Sequence, residues 1–308
     1  MHQNQEALLR RLQKPAGKID VVIDTDTYNE VDDQYALSYL IKSDEKLRLQ
    51  AIYAAPFFNS KSSGPEDGME KSYEEIMRVL TLLGREDYKK IVCKGSARYL
   101  PDETSPVRSA AAEDLAERAL RYTPEKPLYV IAIGAITNIA SAFLLNPKIL
   151  DRVVLIWLGG HSYDWYDNKE FNLRQDVAAA RVVFGSGAAM VQLPCMGVVS
   201  ALRTTRPELE FWLRGKNRLC DYLLDFTERE EESSGAGTCW SRAIWDVSAV
   251  AWLLDENGEF LLDRFEHSPI PQYDGHYSFD KRRHFIRYVY FVNRDRIFED
   301  LFRKLSSG

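Results

Sequence analysis

The sequence has few cysteines, no basic block and no export signal, and each absence argues against a class of protein. Its four cysteines lie far apart, without the CxxC spacing of a zinc site or the density of a disulfide scaffold. Lysines and arginines total 40 against 46 aspartates and glutamates, and no basic run is of the kind that follows a nucleic-acid backbone. Residues 1–17 contain no apolar signal-peptide core. We therefore expect a cytoplasmic protein that does not bind nucleic acid.

One long uncharged stretch, LYVIAIGAITNIASAFLL (residues 128–145), is nearly long enough to span a bilayer. Small and polar residues interrupt it, among them Gly134 and Asn138. Its beginning is rich in β-branched residues and its end has helical spacing. We interpret it as a strand, a tight turn and a helix, and we expect no contact with a membrane.

Strand-like and helical patterns alternate along the chain as far as residue 200. Predicted strands cover residues 19–23, 49–54, 91–93, 128–133, 153–158 and 190–193, and predicted helices cover residues 31–41, 72–83, 110–122, 137–145 and 177–184. With 45% hydrophobic residues the chain can bury a sizeable core. Such alternation is typical of a mainly parallel sheet flanked by helices. We expect a single α/β domain over residues 1–308, with residues 1–18 as an N-terminal helical extension.

Beyond residue 200 the pattern is mainly helical. The predicted helices there cover residues 207–227, 240–254 and 297–305. The stretch REEESSGAGT (residues 229–238) is rich in glycine and acidic residues, and we interpret it as a flexible loop over a site.

The motif VVIDTDTYNEVDDQYAL (residues 21–37) ends an apolar run with five acidic residues: Asp24, Asp26, Glu30, Asp32 and Asp33. The first turn of a helix favours acids and would explain the last three. It does not explain the two aspartates at the strand end, where ligands bind in parallel α/β sheets. A hard divalent cation such as Ca²⁺, which takes about six to eight oxygen ligands, would explain the whole cluster.

Two families contain a motif of this kind. VVIDTDT resembles the first motif of haloacid-dehalogenase-like phosphatases, in which the first aspartate is a nucleophile and Mg²⁺ binds beside it. No convincing acidic motif follows a later strand; GGHSYDWYD (residues 159–167) is the nearest and fits poorly.

The second resemblance extends over nearly the whole chain, from about Ile19 to Leu305. VVIDTDTYNEVDDQYAL resembles the DTDxGxDD signature of the inosine-uridine preferring nucleoside hydrolases, and GAITNIA resembles their GPLTN segment. KEFN followed by DVAAA, the segment TCWSRAIWDVSAVAWLL and the ending VYFVNRDRIFEDLFRKL match later segments of that family in the same order. Several motifs in order are much more specific than one.

The resemblance implies a Rossmann-like nucleoside hydrolase fold that holds Ca²⁺ and hydrolyses the N-glycosidic bond of ribonucleosides. It implies that the metal ligands are Asp26, Asp33, the main-chain carbonyl of Thr137, and Asp246. Asp26 would also act as general base on the water at the metal, which is sound chemistry for a carboxylate beside a cation.

The resemblance also implies a set of substrate contacts, which are Asp32, Asn59, Glu170 and Asn172, with Asp164 or Asn168 as a further partner. Asp24 would be a supporting acid. An aromatic side chain could stack on the base, although such residues are more often core or interface; the candidates are Trp165, Tyr166, Trp240 and Trp245.

Two features depart from the family pattern. The segment TYNEV (residues 27–31) is two residues longer than the family's turn, and its Glu30 could face metal, a sugar hydroxyl or water. Trp245 stands where many members carry a histidine that protonates the leaving base, so either purine nucleosides are preferred or another histidine, His161 or His276, acts instead.

A protein that binds ribose or a nucleoside without turnover is a further alternative. The oligomeric state, homo-oligomers included, is left open.

Overall fold

In a computed structural model, which describes residues 2–235 and 237–307, the chain alternates strands and helices. The strands are β1 (Ile19–Thr25), β2 (Leu47–Ala54), β3 (Val92–Lys94), β4 (Leu128–Ala132), β5 (Val153–Leu158), β6 (Ala189–Leu193), β7 (Arg203–Thr205), β8 (Ser241–Ala243), β9 (Leu261–His267), β10 (Ile270–Pro271), β11 (Tyr277–Ser278) and β12 (Phe285–Val292). The helices are α1 (His2–Arg11), α2 (Asp32–Ile41), α3 (Pro65–Leu82), α4 (Ala110–Arg118), α5 (Thr137–Leu145), α6 (Phe171–Gln175), α7 (Val177–Gly185), α8 (Arg206–Leu213), α9 (Arg218–Ser233), α10 (Val247–Leu254) and α11 (Arg294–Ser306). Short 3₁₀ turns cover Glu86–Ile91, Ala119–Arg121, Pro147–Ile149 and Val199–Ala201.

Eight strands form the central sheet, in the order β3-β2-β1-β4-β5-β6-β12-β9. Every neighbouring pair is parallel except β12 with β9, which is antiparallel. This confirms the predicted α/β class with a mainly parallel sheet. Because the chain turns from β1 outward to β2 and later returns to place β4 on the other side of β1, the strand order reverses there. Such a switch point opens a crevice at the carboxyl ends of the strands.

Both faces of the sheet are covered, which accounts for the uninterrupted apolar runs in its central strands. β5 (VVLIWL) is buried along its whole length. One face packs against a core that includes Tyr35, Trp252 and Phe298. The other face packs against a core that includes Leu115 and Phe184.

The stretch predicted as one helix over residues 207–227 is two helices, α8 and α9. Gly215 separates them with a φ of 71°, a backbone conformation that ends a helix readily because glycine carries no Cβ. Asn217 then caps α9 by accepting a hydrogen bond from the Cys220 amide at 2.9 Å. The helix predicted over residues 207–227 is therefore corrected to two.

Two further expectations for the C-terminal half are wrong in part. Residues 229–233 belong to the end of α9 instead of a loop. Residues 241–243 of the predicted helix 240–254 form β8, which pairs antiparallel with β7, and the helix α10 begins only at Val247. Local helical spacing was outweighed here by a strand partner that lies far away in the sequence.

The N-terminal segment packs onto the domain. Leu8 and Leu12, on and just after α1, are buried in the core. Arg287 of β12 donates a hydrogen bond from Nε to the main-chain carbonyl of Leu12 at 2.9 Å. The apolar stretch 128–145 folds as β4, a turn and α5, and none of the described helices is long and apolar enough to cross a membrane.

Candidate active site

The carboxyl end of β1 delivers the acidic motif to the switch point. Asp24 is the last but one residue of β1, beside Tyr53 of β2 and Ala132 of β4. The chain then turns tightly, since the amides of Tyr28 and Asn29 both donate to the carbonyl of Asp26. The helix α2 begins directly afterwards with two acidic residues in its first turn. The apolar strand and helix thus bury four aspartates at one edge of the sheet.

Three of the buried carboxylates can share one cation. Asp32, Asp33 and Asp246 each place an oxygen within 4.8 Å of the others, and all three are buried. Asp246 reaches the group because it immediately precedes α10. Asp26 lines the same cavity. The predicted ligands Asp33 and Asp246 are therefore within reach of one ion together with Asp32, which was predicted as a sugar contact, and the predicted ligand Asp26 lines the cavity beside them.

The electrostatics of this group favour a bound cation. Burial and the charge of Asp33 raise the pKa of Asp26 well above its ordinary value. Burial and Asp32 do the same for the pKa of Asp246, and burial with Glu30 raises the pKa of Asp32 to about 7. Asp26 Oδ2 and Asp32 Oδ1 are buried without a hydrogen-bond partner among the described residues. Orphaned carboxylate oxygens in a like-charged cluster fit a hard divalent ion.

Neighbouring groups orient these acids. The hydroxyl of Thr25 donates to Asp33 Oδ1, and the main-chain amide of Trp245 donates to Asp32 Oδ2 at 3.1 Å. Gly134 lies against Asp26, because a Cβ at that position would come within 3.1 Å of Asp26 Cγ. The glycine of GAITNIA therefore makes room for the carboxylate.

Asp24 supports the site from behind. Its Oδ1 accepts a hydrogen bond from Asn138 Nδ2 at 2.7 Å, and Asn138 Oδ1 accepts from the amide and the hydroxyl of Ser96, both at 2.8 Å. Burial raises the pKa of Asp24 to about 7. The hydrogen bond between Asp24 and Asn138 thus ties the acidic motif to GAITNIA.

A cavity of ≈ 230 Å³ opens beside the aspartates. Its lining consists of Asp26, Asn29, Glu30, Asp32, Asp33, Ile133, Leu158, His161, Glu170, Phe171, Asn172, Cys195, Met196, Trp245 and Asp246. One part of this wall is acidic and the other is apolar and aromatic. Such a pocket suits a ligand with a polyhydroxylated end and a flat apolar end.

Two predicted sugar contacts are held rigidly in this wall. Glu170 caps α6 and accepts hydrogen bonds from the amides of Gly160, Asn172 and Leu173 at 2.8–2.9 Å. Asn172 Nδ2 donates to the carbonyls of Ile133 at 3.2 Å and Leu158 at 3.1 Å. Both amide protons are thereby used, so its side-chain oxygen is the atom that remains to accept a hydrogen bond.

Four other predicted residues do not line the cavity, and their roles stay predictions. Asn59 donates to Asn29 Oδ1 at 2.6 Å, and Asn29 lines the cavity. The hydroxyl of Thr137 donates to Asp176 at 2.7 Å. Asn168 is buried and accepts from the amide of His161 at 2.9 Å, and Asp164 is exposed.

The aromatic residues predicted as candidates for stacking on the base differ in their position relative to the cavity. Trp245 lines the cavity, whereas Trp240 is buried in the core and Tyr166 is 80% exposed. Phe171 lines it without having been predicted, although it lies within the KEFN motif. Cys195 and Met196 were also missed, and the only available signal was their position just after the last predicted strand.

Glu30, in the longer turn, has a cationic partner. Its carboxylate contacts Arg242 at 2.7 Å, and Arg242 also contacts Glu231 of α9 at 3.1 Å. The sequence left the partner of Glu30 open between metal, a sugar hydroxyl and water. In the structure the partner is Arg242 of β8. Glu30 also lines the cavity.

The fold and site define an α/β protein with a mainly parallel sheet and, at the switch point of that sheet, a buried carboxylate pocket suited to a divalent cation. The model of the family "Inosine-uridine preferring nucleoside hydrolase" matches residues 21–284, so the chain belongs to that family. Its enzymatic class is that of an N-ribohydrolase acting on ribonucleosides. The phosphatase and the inactive binding protein find no support in these comparisons.

Known relatives are distant in sequence and close in fold. The pyrimidine-specific ribonucleoside hydrolase RihA of Enterobacter sp. (strain 638) is 28% identical over 279 residues, which are 80% of this chain and 82% of that protein. The structure of the plant nucleoside hydrolase PpNRh1 has a TM-score of 0.75 at 18% identity, covering 96% of this chain and 100% of the other. The purine-preferring ribonucleoside hydrolase from Gardnerella vaginalis has a TM-score of 0.74 at 19% identity, covering 93% and 98%.

Proposed function

We propose that this protein hydrolyses the N-glycosidic bond of ribonucleosides in a Ca²⁺-dependent reaction that releases ribose and the free base. The observation that carries the proposal is the buried group of Asp32, Asp33 and Asp246, with Asp26 beside it in the same cavity. A small-molecule ribonucleoside is the partner. The four unpaired cysteines agree with the cytoplasmic location expected from the sequence.

The cation would be held by Asp26, Asp33, Asp246 and the main-chain carbonyl of Thr137, with Asp32 as a further carboxylate. Oxygen donors of this kind match the preference of Ca²⁺. When bound, Ca²⁺ supplies a positive charge that lowers the pKa of an adjacent water. Asp26 is the base that takes the proton of the attacking water, because its buried Oδ2 has no other partner in the described chain.

The remaining residues act on the sugar and the base. Glu170 and Asn172 accept hydrogen bonds from ribose hydroxyls, and they are rigid enough to fix the ring. As the C1′–N bond breaks, positive charge develops on the sugar and the surrounding carboxylates stabilise it. Phe171 and Trp245 provide flat apolar surface for the base.

The test is a screen of ribose release from a panel of ribonucleosides, with Ca²⁺ and with a chelator. We expect release with Ca²⁺ and its loss on chelation, restored when Ca²⁺ is added back. Release of phosphate from phosphorylated compounds with Mg²⁺ would instead indicate a phosphatase. Thermal stabilisation by a nucleoside without any product would indicate a binding protein.

A further inference from the structure

Among the residues that the structure describes, His161 is the histidine that lines the cavity. It follows Gly160 just beyond the carboxyl end of β5. Gly160 has a φ of 78°, and a Cβ there would lie 1.9 Å from the hydroxyl of Tyr277. Because only glycine fits, the chain path that brings His161 into the cavity is tightly determined. His276, the other histidine considered from the sequence, is exposed and pairs with Asp274 outside the cavity.

The imidazole of His161 is held by hydrogen bonds on its backbone and on its ring. Its main-chain amide donates to Asn168 Oδ1 at 2.9 Å. Its ring Nδ1 accepts from the main-chain amide of Met196 at 3.3 Å. Trp165 packs against the ring edge-on, with centroids 6.1 Å apart. The ring therefore has one orientation and little freedom to turn.

The contact with Met196 also determines which ring nitrogen carries the proton. A main-chain amide can only donate, so Nδ1 must be the unprotonated nitrogen and Nε2 must carry the hydrogen. Burial lowers the pKa of His161 in the same direction, toward the neutral ring. His161 thus carries one N–H donor and lines a pocket whose other polar side chains are mostly carboxylates.

The departing base needs such a donor. Trp245 also lines the cavity, but its main-chain amide is already used by Asp32. A pyrimidine leaves as a nitrogen anion whose charge is shared with its carbonyl oxygens, and a hydrogen bond to that charge lowers the barrier.

We infer that His161, through Nε2–H, donates the hydrogen bond that stabilises the departing base; this rests on the proposed function. The C1′–N bond breaks and its electron pair moves onto the base. Water adds to C1′ and its proton passes to Asp26. The base anion then takes a proton from solvent and Asp26 releases its proton to solvent, so His161 is neutral before and after the step.

The experiment compares leaving groups. kcat/KM is measured with uridine and with a 4-nitrophenyl riboside, whose nitrophenolate departs as a stable anion and needs no donor. We expect His161→Ala to lower the value for uridine by about 100-fold, in the range found for removing one hydrogen-bond donor from a developing anion. The fold loss of kcat/KM with the nitrophenyl riboside should be at least ten times smaller than the fold loss with uridine, because the nitrophenolate departs without a hydrogen-bond donor. His161→Gln, which retains an N–H donor, should recover part of the uridine activity.

The controls separate this inference from the function on which it rests. His276→Ala removes an exposed histidine and should leave both substrates unaffected. An equal loss on both substrates in His161→Ala, or uridine turnover that survives it, would overturn the role of His161. A selective uridine loss that appears in Trp245→Phe and not in His161→Ala would overturn it as well and assign the donor to the indole. Failure of the wild type to cleave any riboside would refute the proposed function itself.

Discussion

At the scale of single residues, Asp26 and Asp33 are both buried aspartates of one motif and yet have different surroundings. Asp26 Oδ2 has no partner within the described chain, whereas Asp33 is fixed by the hydroxyl of Thr25. This difference supports the proposed roles, in which Asp26 moves a proton and Asp33 holds the cation. The motif letters alone do not distinguish these roles.

We expect Asp26→Asn to lower kcat by roughly 100-fold or more with a small change in nucleoside binding, because it removes the base and keeps the shape. Asp33→Ala should lose cation and sugar binding together. Steady-state kinetics and calorimetric titration with Ca²⁺ measure both effects. Similar losses of kcat and of Ca²⁺ affinity in the two variants would contradict separate roles.

The aspartates could be predicted from the sequence because a cation site needs several carboxylates, and three of them lie within eight residues of one strand end. The partner of Glu30 could not be predicted. Arg242 lies 212 positions away and reaches Glu30 only because β8 pairs with β7. A carboxylate motif is local, whereas the charge that balances it is brought in by the tertiary fold.

At the scale of elements, the end of α9 is tied to the turn between β1 and α2. Arg242 joins Glu30 of that turn to Glu231 of the helix. Lys61 donates to the carbonyl of Asn29 at 2.8 Å and pairs with Glu230. The stretch expected to be a flexible loop over the site is in part the helix end that holds this turn. Its misassignment came from composition, since REEESS is compatible with both a loop and a helix terminus.

We expect Arg242→Gln to raise KM by several-fold and to cost about 1 kcal/mol of unfolding free energy, because Glu30 loses its partner. The double variant Glu30→Gln/Arg242→Gln should be little worse than Arg242→Gln alone. Urea denaturation and kinetics are measured on the wild type, the two single variants and the double variant. The departure from additivity gives the coupling energy between Glu30 and Arg242.

Arg206→Gln is the matched control for this element. Arg206, on α8, forms an ion pair with Glu228 of α9 at 3.0 Å. The substitution removes this ion pair and does not touch the turn between β1 and α2. KM should then be unchanged. Strictly additive effects of Glu30→Gln and Arg242→Gln would show that the pair does not position the turn.

At the scale of the whole molecule, we propose that residues 1–308 form one unit and that the N-terminal extension is part of its core. Leu12 is fully buried, while Leu9, three positions earlier, is only half-buried. Leu12→Ala should cost about 2–5 kcal/mol, as burial of a leucine implies, and Leu9→Ala clearly less. Denaturant unfolding of the two variants makes the comparison. Equal, small effects would mean that the segment packs only loosely on the domain.

The cation should stabilise the molecule as a whole, because the fold concentrates buried carboxylates that repel one another without it. Ligand at about 100 times its dissociation constant adds roughly 2.7 kcal/mol to the folded state. For a chain of this size that corresponds to a rise in Tm of about 4 °C. We therefore expect a chelator to lower Tm by this amount and Ca²⁺ to restore it, measured by differential scanning calorimetry.

Asp33→Ala is the control, since it removes a ligand and should abolish the shift. A shift that persists in Asp33→Ala would place the stabilising cation elsewhere, and a shift larger with Mg²⁺ than with Ca²⁺ would contradict the proposed metal.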